Sequence, residues 1–127
     1  MSFRCAIRAV SLGAAVFGLF AGCGGSTYDS SQAKWSFIST AIIEPSCATA
    51  SCHSNVARKA GVNLYNKDVG YDSLVKRLFV VPSNPQASEL MLLLHAQGAR
   101  RMPPDFPLPE VDVQLIGQWI TSGAMNN

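Results

Sequence analysis

The sequence lacks an apolar run long enough to cross a membrane as a helix. Its longest such run, residues 9–20, has 12 residues and contains only Ser11 as a polar residue, whereas a spanning helix needs about 20. Arg4 and Arg8 give this segment a positive start, and small residues follow it. That order is typical of a bacterial export signal that is removed from the mature chain. We therefore predict a signal peptide over residues 1–22.

The segment that ends this signal, Phe20-Ala21-Gly22-Cys23, resembles a lipoprotein processing site. In such a site the cysteine receives the lipid and becomes the new N-terminus, although Phe20 departs from the usual leucine. Small polar residues follow Cys23, so residues 23–34 are predicted to form a lipidated flexible tether. Ordinary cleavage nearby, which leaves Cys23 as a free thiol, is the alternative.

The sequence also has little excess charge of either sign. It contains 10 basic and 8 acidic residues, and the loss of Arg4 and Arg8 with the signal leaves eight of each. This balance excludes a broad basic surface for nucleic acid. No Ser-His-Asp set, paired-carboxylate pattern or phosphate-binding loop is apparent, so the common hydrolytic and phosphoryl-transfer sites are not indicated either.

Strand signals are scarce, because seven prolines interrupt the apolar runs: Pro45, Pro82, Pro85, Pro103, Pro104, Pro107 and Pro109. The predicted fold class is mainly α, a single small domain of about four short helices over residues 35–127. Helices are predicted at residues 36–43, 71–79, 86–97 and 110–122.

Local residues mark the ends of these predicted helices. Pro45 is expected to stop the first helix before the cysteine segment, and Asp72 is expected to start the second. Gly123 suits the position just past the last helix. Trp35 and Trp119 are expected to lie in the core where the first and last helices meet.

The cysteine count is the sharpest constraint on function. Of four cysteines, Cys5 leaves with the signal and Cys23 takes the lipid, so Cys47 and Cys52 remain in the folded domain. His53 follows directly, which gives the order of a c-type haem attachment site with four residues between the cysteines in place of two. Two thiols would reach the two vinyl groups of the haem, and the imidazole would meet the iron. A Cys47–Cys52 disulfide is an equally good interpretation of this motif alone.

Met102 supplies a second candidate ligand far along the chain. It lies between the third and fourth predicted helices and is followed by Pro103 and Pro104. A methionine sulfur is a soft ligand that binds haem iron and, opposite histidine, raises its reduction potential. The two prolines stiffen the loop that would present this sulfur. His95 is the alternative sixth ligand because it is the other histidine of the chain.

Several stretches together resemble the small mono-haem c-type cytochrome domains of bacterial exported proteins and lipoproteins. The stretches are Ile43-Glu44-Pro45-Ser46-Cys47, Cys52-His53, Gly61-Val62-Asn63-Leu64, Val80-Val81-Pro82-Ser83-Asn84-Pro85, Ser88-Glu89-Leu90, Arg101-Met102-Pro103-Pro104 and the run from Ile116 to Ala124. The wider cysteine spacing departs from the commonest family pattern.

The resemblance implies one covalent haem c wrapped by a cytochrome c-like fold. Cys47 and Cys52 would form the thioethers, with His53 as proximal and Met102 as distal axial ligand. Arg100 and Arg101 either pair with the haem propionates or are solvated. The implied function is one-electron transfer without turnover of a substrate, between redox partner proteins of the cell envelope.

Two other interpretations stay open at this point. A haem with an open sixth position would make the protein a haem enzyme or gas sensor, and a Cys47–Cys52 disulfide would make it a haem-free lipoprotein interaction module. The expected location is the cell envelope, held by the lipid on Cys23. Gly24, in place of aspartate, favours the outer membrane.

Overall fold

The computed structural model describes residues 28–127. The predicted signal peptide, Cys5, the lipidation site Cys23 and residues 23–27 of the predicted tether lie outside the described residues. The last tether residues contact the domain, since the ring of Tyr28 meets Phe37 edge-on at 5.5 Å between centroids. Asp29 caps a short 3₁₀ turn, Ser30–Gln32, that packs near the last helix.

Four helical segments build the described part of the chain. They are α1 (residues 35–47), α2 (residues 67–76), α3 (Glu89–His95) and α4 (Glu110–Thr121). Short 3₁₀ turns at Lys59–Gly61, Pro85–Ala87 and Gly98–Arg100 lie between them. Residues 28–127 contain no β-strand and no helix that is long and apolar enough to cross a membrane. The predicted mainly α class is confirmed.

The core is centred on two tryptophans from the first and last helices. Trp35 and Trp119 are 0% and 1% exposed, and their rings stack with centroids 4.9 Å apart and planes inclined by 27°. Tyr71 of α2 meets both rings edge-on, at 6.0 Å from Trp35 and 6.5 Å from Trp119. Aromatic rings favour these offset and edge-on arrangements. The expected meeting of Trp35 and Trp119 is confirmed.

Each polar atom of this aromatic cluster has a backbone partner. The Trp35 Nε1–H donates to the carbonyl of Lys67 at 2.8 Å, and the Trp119 Nε1–H donates to that of Met125 at 2.9 Å. The Tyr71 hydroxyl donates to the carbonyl of Ala124, also at 2.9 Å. Because an unpaired buried polar group would cost about 1–3 kcal/mol, these bonds fix how α2 and the C-terminal segment lie on the core.

Aliphatic side chains extend the core along α1 and α4. Buried members are Ile38, Ile42, Ile43, Val62, Leu64, Leu74, Val80, Leu90, Leu94, Val113, Leu115, Ile116 and Ile120. Asn127 ties the end of the described chain to the start of α1, since its Oδ1 accepts from the Trp35 N–H at 3.0 Å and its carbonyl accepts from the Ser36 N–H at 2.9 Å. These two bonds satisfy amide groups that lack partners within the first turn of a helix.

Pro45 does not end the first helix, which is a correction to the prediction from sequence. The helix runs as an α-helical turn Trp35–Ile38, a π-helical turn Ser39–Ile43 and a final α-helical turn Glu44–Cys47. In a regular α-helix, the proline ring would meet the carbonyl four residues earlier. The wider π turn precedes Pro45 and relieves that contact, so the helix continues to Cys47.

The bounds of α2 and α3 also differ from the predicted ones. α2 begins at Lys67 because the Asn66 side chain accepts from the Val69 N–H at 3.0 Å, so Asn66 rather than Asp72 is the cap. It ends at Lys76, and Leu78 then has a φ of +63°. α3 begins at Glu89, because the residues before it form the Pro85–Ala87 turn. α4 and the positive φ of Gly123 match the prediction.

Replacing Trp119 with alanine tests the role of the aromatic stack. The W119A variant is expected to lose about 3–5 kcal/mol of unfolding free energy because it leaves a cavity against Trp35 and Tyr71. The matched control is Gln118→Ala at the exposed neighbouring position of α4, which should change stability by less than about 0.5 kcal/mol. Chemical denaturation of parallel preparations measures both, and equal losses would contradict the assignment.

Candidate functional site

A tight turn brings Cys47, Cys52 and His53 together at the end of α1. Cys47 is the last residue of the helix. The Cys52 N–H then donates to the carbonyl of Thr49 at 3.0 Å, and the His53 N–H donates to the carbonyl of Cys47 at 3.1 Å. The second bond joins the two ends of the segment from Cys47 to His53. Both thiols and the imidazole therefore project from one short, backbone-bonded segment.

The imidazole of His53 is held by a backbone carbonyl. Its Nδ1 lies 3.1 Å from the Lys59 carbonyl oxygen. A carbonyl can only accept, so Nδ1 is the donor of this bond, and in a neutral imidazole with this tautomer the free lone pair lies on Nε2. The backbone of His53 is fixed as well, because its own carbonyl accepts from the Leu64 N–H at 2.7 Å. A histidine fixed in this way is prepared to bind a metal through Nε2.

The loop that supplies this carbonyl has a strained backbone. Arg58, Ala60 and Gly61 have φ values of +44°, +53° and +72°. For residues other than glycine, this left-handed region costs about 1–3 kcal/mol each and persists only when surrounding contacts impose it. Lys59 lies between these residues, and its N–H donates to the carbonyl of Cys52 at 3.0 Å. Both backbone groups of Lys59 are therefore bonded to the cysteine segment: its N–H to Cys52 and its carbonyl to His53.

Cys47 and Cys52 are both free thiols in the structure. Their environments differ. Burial against the core, with a smaller contribution from the neighbouring Cys52, raises the pKa of Cys47 to about 11. Hydrogen bonds from Thr49 and then Ser51 lower the pKa of Cys52 below its ordinary value. The two thiols thus have unequal nucleophilic character at neutral pH.

Met102 is half-buried in a loop that is braced from within. Its N–H donates to the carbonyl of Leu93 at 3.0 Å, which ties the loop to α3. The guanidinium of Arg101 donates to the carbonyls of Pro103 (3.4 Å), Pro104 (3.0 Å) and Asp105 (3.4 Å). Both prolines lack an N–H and keep a fixed φ, so Arg101 and the prolines together stiffen the segment that presents Met102.

A cavity lies between the end of α1 and the loop that follows Met102. It has a volume of about 280 Å³ and is lined by Ser46 on one side and by Pro103 and residues 105–109 on the other. Ser46 is the neighbour of Cys47, and Pro103 is the neighbour of Met102. The Asp105 carboxylate also raises the pKa of Cys52 slightly, against the effect of its hydrogen bonds. The cavity is therefore lined by the neighbours of Cys47 and Met102, while Cys47, Cys52, His53 and Met102 themselves are not among its lining residues.

Phe106 is the most exposed aromatic side chain at this cavity. It is 82% exposed although it belongs to the lining. Val56, in the loop after His53, is 84% exposed. The exposed ring of Phe106 is available to contact a molecule that enters this cavity. Neither residue was singled out from the sequence, because an isolated apolar residue in a loop carries no periodic signal.

The alternative sixth ligand His95 and the two predicted propionate partners, Arg100 and Arg101, contact other groups of the domain. His95 is exposed at the end of α3, and its Nδ1 donates to the carbonyl of Met91, one helical turn earlier, at 2.8 Å. Arg100 lies 3.6 Å from the Glu89 carboxylate in an exposed ion pair. Arg101 is engaged with the carbonyls of its own loop. Within the described residues, both guanidinium groups already contact groups of the domain, so these contacts do not support the predicted pairing with haem propionates.

No protein-family profile, no curated protein and no solved structure matches the chain.

The unequal thiols predict unequal rates of alkylation. In chain produced without haem-attachment machinery, Cys52 should react with iodoacetamide at pH 8 about tenfold faster than Cys47, because its larger thiolate fraction outweighs its lower intrinsic nucleophilicity. Peptide mass mapping measures the rate at each cysteine. Unfolding in denaturant is the control and should bring the two rates together. Equal rates in the folded chain would contradict the assigned environments.

Proposed function

We propose that this chain is a mono-haem c-type cytochrome that transfers single electrons in the bacterial cell envelope. The observation that carries the proposal is the His53 imidazole. It lies in sequence directly after Cys52, its Nδ1 proton is committed to the Lys59 carbonyl, and its Nε2 is left for a metal. A haem-free interaction module closed by a disulfide would have no need of a histidine prepared in this way.

The donor set fits a haem rather than a bare metal ion. Within residues 28–127, no group of three or more His, Cys, Asp or Glu side chains is arranged to hold a metal ion. A porphyrin supplies four ligands to its iron, so the protein needs to provide only two axial ones. His53 and Met102 are the pair we assign, with Cys47 and Cys52 as thioether residues. When bound, the haem supplies an iron that alternates between two oxidation states.

The chain's own residues have three tasks in this proposal. The Lys59 carbonyl holds the Nδ1 proton of His53, which fixes the ring and raises its basicity toward the iron. Arg101 and the prolines after Met102 hold the thioether sulfur in a stiff loop. The half-buried Leu108, which lines the cavity, would help to exclude water from a bound haem and so to set its reduction potential.

Met102 is favoured over His95 as the sixth ligand by its surroundings. Its neighbour Pro103 lines the cavity beside the cysteine segment, whereas His95 is exposed and bonded within its own helix. An occupied sixth position also favours electron transfer over an enzymatic or gas-binding role, both of which need an open site. We therefore propose no turnover of a substrate.

The location and partners follow from the N-terminal sequence. Arg4, Arg8 and the apolar run after them support export, and the residues up to Cys23 support removal of residues 1–22 with lipidation of that cysteine. We propose that the lipid anchors the domain to a membrane of the envelope, with the outer membrane favoured by Gly24. The partners would be redox proteins of the same compartment.

Expression with haem-attachment machinery tests the proposal directly. The intact mass should rise by one haem, and the pyridine haemochrome spectrum should show two thioether bonds. Cys47→Ser and Cys52→Ser should each leave a single thioether, and the double variant should retain no covalent haem. A wild-type mass lower by two hydrogens and without haem would indicate the disulfide module and overturn the proposal.

Alanine variants of the two candidate ligands test the sixth position. Met102→Ala should lower the reduction potential, because a methionine opposite histidine raises it. At the wild-type midpoint potential, the ferrous-to-ferric ratio should fall by roughly a hundredfold. This corresponds to a reduction potential lower by about 120 mV for a one-electron couple. The matched control, His95→Ala, should leave the potential unchanged. A normal potential in Met102→Ala with a shifted one in His95→Ala would assign the ligand to His95.

A further inference from the structure

Arg77 reaches from the end of α2 to the loop beside His53. Its Nη1 donates to the carbonyl of Gly61, 16 residues earlier in the chain. Its guanidinium carbon lies 5.6 Å from the centroid of the Phe79 ring. A cation placed over an aromatic face is attracted to it, so Phe79 holds the guanidinium in the orientation in which it meets Gly61. In the sequence, Arg77 is a basic residue next to Lys76, and nothing there links it to His53.

The loop that Arg77 contacts is the one that holds His53. Residues 58–61 carry three positive φ values, and the Lys59 carbonyl between them accepts from both His53 Nδ1 and the Val62 N–H, each at 3.1 Å. Other hydrogen bonds of this loop come from its own backbone or from the cysteine segment. Within the described chain, the side-chain donors that reach the carbonyls of residues 58–61 from outside this loop are His53 and Arg77, and Arg77 is the one that lies outside the cysteine segment.

The backbone conformation of Gly61 and its lack of a side chain allow this contact with Arg77. A Cβ atom at Gly61 would lie 3.3 Å from Nη2 and 3.4 Å from Nη1 of Arg77, and the φ of +72° is one that side-chain-bearing residues rarely adopt. Glycine therefore permits both the turn and the close approach of the guanidinium. Ala60, the residue before Gly61, is not a glycine and keeps its left-handed φ only under restraint from its surroundings. The bond from Arg77 to the Gly61 carbonyl is a restraint of this kind, applied to the adjacent residue from the end of α2.

We propose that Arg77 is a positioning residue for the axial imidazole. It holds the loop in the conformation that aims the Lys59 carbonyl at His53 Nδ1, and through this bond it sets how strongly His53 donates to the iron. The inference rests on the proposed function and deepens it, because it assigns control of the reduction potential to a residue outside the ligand set. Loss of the carbonyl contact weakens the ligand and favours ferrous iron, so the potential rises.

The direction in which the reduction potential changes distinguishes a positioning role of Arg77 from a purely electrostatic effect of its charge. Removing a positive charge near the iron would stabilise the ferric state and lower the potential, which is the opposite direction. Arg77→Met removes both the charge and the hydrogen bond. Lys76→Met removes one charge from the adjacent position, where the lysine pairs with Asp72 at 2.7 Å and is exposed. It therefore serves as the matched control for charge.

The experiment measures the potential of haem-loaded protein by spectroelectrochemical titration. At the wild-type midpoint, Arg77→Met should raise the ferrous-to-ferric ratio between threefold and tenfold, where tenfold corresponds to about 59 mV. Lys76→Met should leave the ratio unchanged or lower it. Arg77→Lys keeps the charge without the planar fork, and its ratio should lie between those of the wild type and Arg77→Met. An unchanged or lowered ratio in both Arg77 variants would overturn the proposal.

Amide hydrogen exchange provides a readout that does not depend on redox chemistry. In Arg77→Met, the amides of Lys59 and Val62 should exchange roughly tenfold faster than in the wild type, because the loop opens more often. Amides of α4 should keep their protection, which shows that the variant is folded. If Arg77→Met fails to fold, Arg77→Lys carries the same two measurements. Unchanged exchange at Lys59 and Val62 would overturn the positioning role.

The two proposals fail in different ways. If the wild-type chain gains no haem mass, the cytochrome function fails, and hydrogen exchange still decides whether Arg77 holds the loop. If haem is attached and the potential does not respond to Arg77, the cytochrome function stands and the positioning role fails.

Discussion

The stack of Trp35 on Trp119 is the contact from which the rest of the domain is arranged. It joins the first and last helices, and Tyr71 brings α2 against both rings. The three polar atoms of this cluster reach backbone carbonyls of Lys67, Met125 and Ala124. A buried aromatic cluster with every polar atom paired has one favoured arrangement. This arrangement fixes the positions of the helices that carry the three rings.

The candidate site lies at the far end of the helix that this stack anchors. α1 begins at Trp35 in the core and ends at Cys47 in the site. Its continuity across Pro45 means that the first thiol is held by a rigid element rather than by a loop. The imidazole and the second thiol follow in a turn closed by backbone hydrogen bonds. Rigid support of this kind is what a site needs when its ligands must keep a fixed geometry.

Much of the architecture could be predicted from periodicity and from single residues. The apolar stripe of α4, Gly123 after it, and the buried positions of both tryptophans follow from helical spacing and turn chemistry. The extension of α1 through Pro45 could not be predicted, because a π turn has no local signature that outweighs the usual effect of proline. The Asn66 cap was missed because Asp72, a good capping residue, stands six positions further along.

The candidate site was chosen from the sequence by its side chains, and nothing in the sequence pointed to its backbone contacts. Cys47, Cys52, His53 and Met102 are recognisable by residue type and order, but the partner of His53 is a carbonyl, and every residue has one. Gly61 was visible in the sequence, although nothing indicated that its neighbours Arg58 and Ala60 would share its left-handed conformation. Arg77 likewise becomes informative only through the fold that brings α2 against this loop.

The π turn in α1 also determines the direction in which the thiol of Cys47 points. A π-helical turn takes one residue more than an α-helical turn, and each residue of an α-helix advances about 100° around the axis. The thiol of Cys47 is therefore rotated by about that angle from where an uninterrupted α-helix starting at Trp35 would place it. The number of residues between the core and the site thus determines which way the first cysteine faces, so a change in chain length there would redirect the thiol even if every side chain in the site were kept.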